Sequence, residues 1–555
     1  MRICHFFLLF IVALLATQPI SAQPSNEALE AAFDKICMKK FPDDGPGSAV
    51  LIAKGGQVVY QKAFGLDDLD KKTPLRPDMV FRIGSVTKQF TVVAILQLVQ
   101  QKKIALQDDI TRFIPDYPVK GKKITVEQLL NHTSGIKSYT NMPLWTPAIQ
   151  QMEMTPKALV DFFKDQPLDF EPGTQYAYNN SGYVLLGYII EQVTGMPYAD
   201  YLAKNVFQPA GLEHTFYENK PRPIKDWANG FMKTDSGTYL PALPLSMSQP
   251  YAAGSLAANV EDLYRWTQAV FSGKLVSQDL LKKAHTPNVL PNGTNTGYGY
   301  GWLMGYLLGS PTVEHGGAVN GFLSALIYLP KEDICVAILA NCDCNEPSET
   351  AAQLAALAAG HILEVAAIPV PPKGLAGYVG TYENPQGAKR YIRLDGGQLV
   401  SQRVGGSAFA MLAMARDSFR FDGTLAQIAF QRGENGKVSG LLFDSRNVSG
   451  ERWTRTADTV PELPKALVLT EEQLRRFVGE YTLFPDFSMT VTQEGARLFA
   501  QATGQQRFEV FAKTELRFFL KVVDAEIEFV PDDKGSVNKL ILHQGGRDMP
   551  GERVR

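Results

Sequence analysis

Residues 81–90, FRIGSVTKQF, set Ser85 and Lys88 in a Ser-x-x-Lys spacing at the point where an apolar helical pattern begins. Beyond them, SVTKQFTVVAILQLVQQKKI carries Phe90, Val93, Leu96, Leu98 and Val99 at near-helical spacing. A serine that opens a helix has its backbone N–H among the unpaired first-turn donors, at the positive end of the dipole. A residue three further on shares its face. A lysine there can take the serine proton if dryness and a neighbouring cation lower its pKa. Spacing alone does not decide the matter, because Ser134 and Lys137 in HTSGIK repeat it in a Thr-Ser-Gly turn with no helix behind.

Outward from that stretch, GSAVLIAKGGQVVYQKAFG (47–65) reads as two strands around a Gly55-Gly56 turn. Residues 105 to about 230 read as helical and loop-rich, with a clear helix in SGYVLLGYIIEQVTG. Past 310, SALIYLP and DICVAILA read as strands flanking a Pro330–Asp333 turn. An Ala-rich helix, SETAAQLAALAAGHILEV, then precedes the break AIPVPPKG. Strands, then helices, then strands and a helix describe an α/β sandwich with an inserted all-helical lobe.

The remainder contains a duplication. YVGTY (Tyr378–Tyr382) recurs as FVGEY (Phe477–Tyr481), and at the same offset Ile428 aligns with Ile527 and Gly436 with Gly535. Short alternating strands between Gly, Asp and Asn turns predict two small antiparallel β-barrel modules joined by TADTVPELPKA.

Composition is that of a globular chain of 555 residues, 45% apolar and 20% charged, with a net charge of −2. That length allows about two to four domains. No basic stripe or tail is present, so nucleic acid is not an expected partner. Arg2, the apolar run Phe6–Ala16 and a cleavage site after Ala22 read as a signal peptide, which predicts a periplasmic or secreted protein with no membrane anchor after cleavage. Of the five cysteines, Cys4 leaves with that segment; Cys37 either bridges to Cys342 or Cys344 or stays a buried thiol.

Acyl-transfer chemistry by a Ser-Lys pair needs a second proton relay, an amide that holds the substrate and an oxyanion hole. Tyr-x-Asn occurs at Tyr139/Asn141, Tyr178/Asn180, Tyr217/Asn219 and Tyr382/Asn384. Only Tyr178 and Asn180 follow a Pro-Gly turn and precede a strong helix. With GSVTKQF, YNN and EHGGAVNGF in order, flanked by ITVEQLLNHTSGI and AAGSLAANVEDLYRW, residues up to about 365 resemble the serine β-lactamase-related family. That family includes class C β-lactamases, D-alanyl-D-alanine peptidases, D-aminopeptidases and esterases. A Gly-x-Ser-x-Gly elbow, the mark of the rival α/β-hydrolase class, is missing.

The resemblance implies a β-lactamase/transpeptidase-like domain, with an antiparallel sheet flanked by helices, followed by two lipocalin-like barrels. It implies Ser85 as nucleophile, Lys88 as base and Tyr178 as relay to the leaving group. Asn180, His315, Gly316, Gly317 and Ala318 would meet the substrate, with the Ser85 and Ala318 N–H groups as the oxyanion hole. No cofactor or metal is implied. His-x-Gly in place of Lys-Thr-Gly offers a substrate carboxylate less than an ammonium would. Together with the architecture, the resemblance then implies a peptidase or amidase acting on D-amino-acid-containing peptides, with a carboxylesterase or a penicillin-binding D,D-carboxypeptidase or β-lactamase as the alternative, and a non-catalytic wall-fragment binder third. In D-aminopeptidases a loop of the last barrel helps shape the active site. His132 reads as scaffold, and His543 and Lys54-Gly55-Gly56 as incidental matches to the third motif. The expected organisation is a signal peptide at 1–22, a hydrolase domain at 23–368 and barrels at 374–457 and 469–555. Oligomeric state has no sequence signature here.

Overall fold

The computed structural model describes residues 26–554 apart from 219–225, 235–236, 362–369, 371, 405, 423, 447, 462–465, 485–486, 504–506, 522, 524 and 545–546. The signal-peptide reading of 1–22, Cys4 and Asn219 therefore lie outside the described residues.

An open sheet has six antiparallel strands in the order Leu303–Leu307, Ser310–Val319, Phe322–Leu329, Ile334–Ala340, Ser48–Lys54 and Gln57–Phe64. The late strand Ile334–Ala340 pairs with the early strand Ser48–Lys54, from Ser48 opposite Ala340 to Lys54 opposite Ile334. Both are central and apolar, and their side chains alternate between two cores as a period of two requires. Ala49, Leu51 and Ala53 face the helical lobe, while Val50 and Ile52 face the opposite layer. That layer is made by helix Pro347–Ala358 and by helix Asn26–Lys40. The latter was not expected from sequence, although Leu29, Phe33, Ile36 and Cys37 form a one-sided stripe that packs on the sheet.

Helix Thr87–Gln100 runs through the larger core and is buried from Thr87 to Leu96, as its nearly all-round apolar sequence demands. Helix Asn180–Thr194 starts at an Asn179 cap, whose side chain accepts from Gly182 N at 2.8 Å, and stops at Gly195 in the left-handed region.

The duplicated segment forms two closed eight-stranded antiparallel barrels, Gly380–Ala457 and Gly479–Arg553. The first docks on the sheet through Arg446, whose guanidinium bonds Glu314 at 2.9 Å and whose carbonyl accepts from Tyr306 N at 3.0 Å. Cys342 bonds to Cys344. Cys37, free and buried against the sheet, takes the thiol alternative.

Candidate active site

Ser85 sits on a single 3-10 turn, Gly84–Val86, that feeds directly into helix Thr87–Gln100. The turn is pressed against the strand Ser310–Val319. Gly84 has φ +48°, and a Cβ there would stand 2.7 Å from Ala318 N. Only glycine meets both conditions. From the other side, Ser324 Oγ donates to Ile83 O at 2.8 Å. A Cβ on Gly317 would lie 2.1 Å from that same carbonyl oxygen. The two glycines thus let the third-motif strand reach the turn that carries Ser85 and bring the Ala318 backbone beside it.

Lys88 is the second residue of helix Thr87–Gln100, three residues on from Ser85, and is fully buried. Its Nζ is 3.1 Å from Ser85 Oγ, 2.8 Å from Asn180 Oδ1 and 2.9 Å from Ala253 O. It also sits 4.7 Å from the Tyr178 ring centroid and 5.3 Å from that of Tyr183. Burial holds its pKa well below the usual lysine range. Once deprotonated, the amine has two N–H donors and one lone pair. Asn180 Oδ1 and Ala253 O can only accept, so they take the donors and the lone pair is left facing Ser85 Oγ. Ala253, from AAGSL, is a partner the sequence reading did not identify.

Asn180 is held in turn, donating from Nδ2 to Thr140 Oγ1 and from its backbone N to Ser138 Oγ, each at 3.2 Å. Tyr178 is half-exposed, at 38%, yet its phenol faces Ser85. Burial pushes its pKa above the ordinary phenol range against the opposing pull of the Ser85 hydrogen bond, so the phenol keeps its proton. His132, read from sequence as scaffold, is buried with its ring 4.5 Å from that of Tyr178, and its Nδ1 accepts from Asn179 N at 3.1 Å. It fixes the backbone of the second motif.

The third motif divides. Ala318 lines the cleft with Ser85, Asn180 and Ala253 around a cavity of ≈ 110 Å³, whose apolar wall includes Trp145, Leu245 and Val319. The structure does not bring His315, Gly316 or Gly317 to that wall. His315 is buried, with Nδ1 2.6 Å from Gly316 O and Nε2 2.9 Å from the Tyr298 hydroxyl. Since the carbonyl can only accept, Nδ1 carries the proton and Nε2 accepts from Tyr298. Burial pushes the imidazole down to about 3, so it is neutral and offers no cation. Gly316 and Gly317 serve close approach instead. Gly317→Ala is expected to lower stability by about 1–3 kcal/mol and acylation by at least ~10-fold, because the turn before Ser85 has to move. Gly316→Ala meets Ser348 Oγ at 3.2 Å and Ser324 O at an ordinary 3.4 Å, and is the mild control. Urea midpoints and acylation rates of the pair check this.

The incidental motif matches are occupied elsewhere. Lys137 pairs with Asp169, Tyr139 OH donates to Gln249 O, Lys54 donates to Ala358 O, and His543 contacts Asp548 and Glu528 in the second barrel. The cavity lining runs from Ser85 to Asn320, and among the described residues neither barrel contributes to it. It also holds no charged side chain among the described residues.

Comparison with known proteins agrees with this layout. The Beta-lactamase family model matches residues 37–360, and a domain of unknown function (DUF3471) matches 365–455 and again 463–553, one copy per barrel. The chain is similar to penicillin-binding protein 4* of Bacillus subtilis (strain 168), 26% identical over 91% of this chain and 94% of that protein. Among solved structures, the octameric penicillin-binding protein homologue from Pyrococcus abyssi shares the fold. Its TM-score is 0.53 at 24% identity, over 95% of this chain and 100% of that one. A D-stereospecific amidohydrolase from Streptomyces sp. is 27% identical with a TM-score of 0.52, over 59% of this chain and 98% of that one. A family model spanning more than half of the sequence, on a fold that matches its solved relatives, leads to one assignment: the chain belongs to the serine beta-lactamase-related family.

Proposed function

We propose that the protein is a serine hydrolase that cleaves amide bonds in D-amino-acid-containing peptides through a Ser85 acyl-enzyme. The observation that carries the reading is the Lys88 amine, buried beside Ser85 Oγ and held by two obligate acceptors, so that on deprotonation its lone pair is left to Ser85. In this reading Ser85 Oγ attacks the acyl carbon as its proton passes to Lys88. The N–H groups of Ser85 and Ala318 receive the carbonyl oxygen, each worth about 3 kcal/mol. Tyr178 hands its proton to the departing nitrogen and regains one from Lys88. Water then attacks the acyl-enzyme, its proton passes to the same relay, and Ser85 leaves protonated.

The similarity to a D-stereospecific amidohydrolase supports the choice of stereochemistry. The uncharged cavity lining refines it: neither a free α-ammonium nor a carboxylate finds a partner there, so a blocked or internal residue is the better substrate. The same lining favours small neutral esters as the second reading. The apolar run Phe6–Ala16 and the Cys342–Cys344 bond support work outside the cytoplasm.

The test compares N-acetyl and free forms of D- and L-phenylalanine amide by product mass spectrometry. The N-acetyl-D form is expected to turn over at least ~10-fold faster than the L form, and faster than the free D-amide. Cleavage of p-nitrophenyl butyrate with every amide untouched would transfer the proposal to the esterase reading. No turnover of either, with Ser85 unlabelled by a fluorophosphonate, would overturn it.

A further inference from the structure

The two barrels are copies with different interiors. At one end they are alike. Tyr382 and Phe430 stand 5.8 Å apart between ring centroids in the first barrel, and Tyr481 and Phe529 stand 5.8 Å apart in the second. Phe419 meets Phe430 edge-on at 5.5 Å, and Phe518 meets Phe529 in the same way at 5.5 Å. This shared aromatic plug fixes the correspondence of every strand.

At the other end the copies part. The strand pairings set Arg390 opposite Tyr382 and Met489 opposite Tyr481, so these two occupy one position. Ser401 and Arg403 likewise correspond to Ala500 and Ala502. Phe421 corresponds to Leu520, and Phe443 to Leu542. Trp453, opposite Leu441, is matched by Gly551, opposite Leu540. In the first barrel these residues fill the interior, with Arg403 at its exposed rim, 6.0 Å from the Trp453 ring centroid. The Arg390 guanidinium lies 4.3 Å from the Phe443 ring centroid, 4.8 Å from that of Trp453 and 5.7 Å from that of Phe421, and donates to Ser401 Oγ at 3.0 Å. In the second barrel every one of these positions carries a smaller side chain, and both arginine positions have lost their charge.

A cavity of ≈ 620 Å³ opens there, lined by Met489, Ala500, Ala502, Leu520 and Leu542 among others. That is within the ~300–1,000 Å³ typical of small-molecule sites, and a closed eight-stranded barrel is wide enough to enclose one such ligand. Among the described residues its lining has no charged side chain. Polar side chains are confined to Ser407 and Gln544, and Ser407 lies on the first-barrel segment that faces Val523 across the junction. We propose that the second barrel is a binding site for a single acyl chain of lipid type, its hydrocarbon in the barrel and its polar end at the junction between the barrels. The first barrel, filled by its own arginine and aromatic side chains, is its non-binding copy. This site is separate from the catalytic cleft, whose lining contains no barrel residue among those described.

The test is fluorescence titration of the whole protein with cis-parinaric acid. Saturable binding of one equivalent is expected. In Met489→Arg/Ala500→Ser, which restores the first barrel's pair, affinity should fall at least ~10-fold while the circular dichroism spectrum stays that of the parent. Ala500→Leu, which adds a small apolar group to the same void, replaces the double variant if that one does not fold, and should weaken binding in the same direction. An absence of saturable binding to the parent, or unchanged affinity in a folded filled variant, overturns the proposal.

Discussion

Ser85→Ala is expected to reduce turnover by ~10⁴-fold or more, with the melting temperature within a few degrees of the parent. The size follows from the site's division of labour. Without Oγ no acyl-enzyme forms, and the amine of Lys88, the phenol of Tyr178 and the two backbone donors can only assist direct attack by water. The fold has little at stake, because the hydroxyl's partners are Lys88 and Tyr178 and the turn itself is held by Ile83, Gly84 and Ser324. Initial rates on N-acetyl-D-phenylalanine amide and intact mass after fluorophosphonate treatment measure both effects. Activity within tenfold of the parent would remove Ser85 from the mechanism.

Lys88→Ala is expected to cost on the order of 10²–10⁴-fold in acylation. The pH profile separates a base from a mere spacer. Because burial lowers the Lys88 pKa, the rate should rise with pH through a value well below 10.5 and then level off. Tyr178 is shifted the other way, above 10, so its proton stays through that plateau and any alkaline fall lies beyond it. His315, held at about 3, adds no limb near neutrality. Lys88→Ala should lose the acidic limb together with the rate. Linkage gives a second readout. Between the depressed folded value and 10.5 the unfolded chain binds more protons than the folded one, so the parent gains stability as pH rises through that window, and the variant lacks that gain. An acidic limb that survives in the variant would place the base elsewhere.

The legible part of the site was that made of local pattern. Ser85 and Lys88 are neighbours at the start of one helix, and Tyr178 and Asn180 flank the capped start of another, so local pattern placed each on its element while the family resemblance supplied the roles. Ala253 was not legible. It contributes a backbone oxygen, a group every residue carries, and only the packing of its short helix against Thr87–Gln100 brings that oxygen to Lys88. His315 was legible as a motif but not in its surroundings. Its sequence context does not reveal Tyr298, whose hydroxyl occupies Nε2. The last-barrel loop that the resemblance placed at the active site is likewise absent from the described cleft lining, because it is the first barrel, through Arg446, that docks on the sheet.

By itself the sequence determined the α/β class, the order of the motifs and the duplication, because hydrophobic period, caps and turn residues act within a few positions of one another. Tertiary structure decided which cysteines pair, that both barrels close, how dry Lys88 is and which barrel is hollow. Each of these depends on residues far apart in the chain meeting in three dimensions. The hollow barrel shows the reason most plainly. Met489, Ala500 and Ala502 are unremarked in the sequence, and only strand register reveals that they replace Arg390, Ser401 and Arg403 around one interior space.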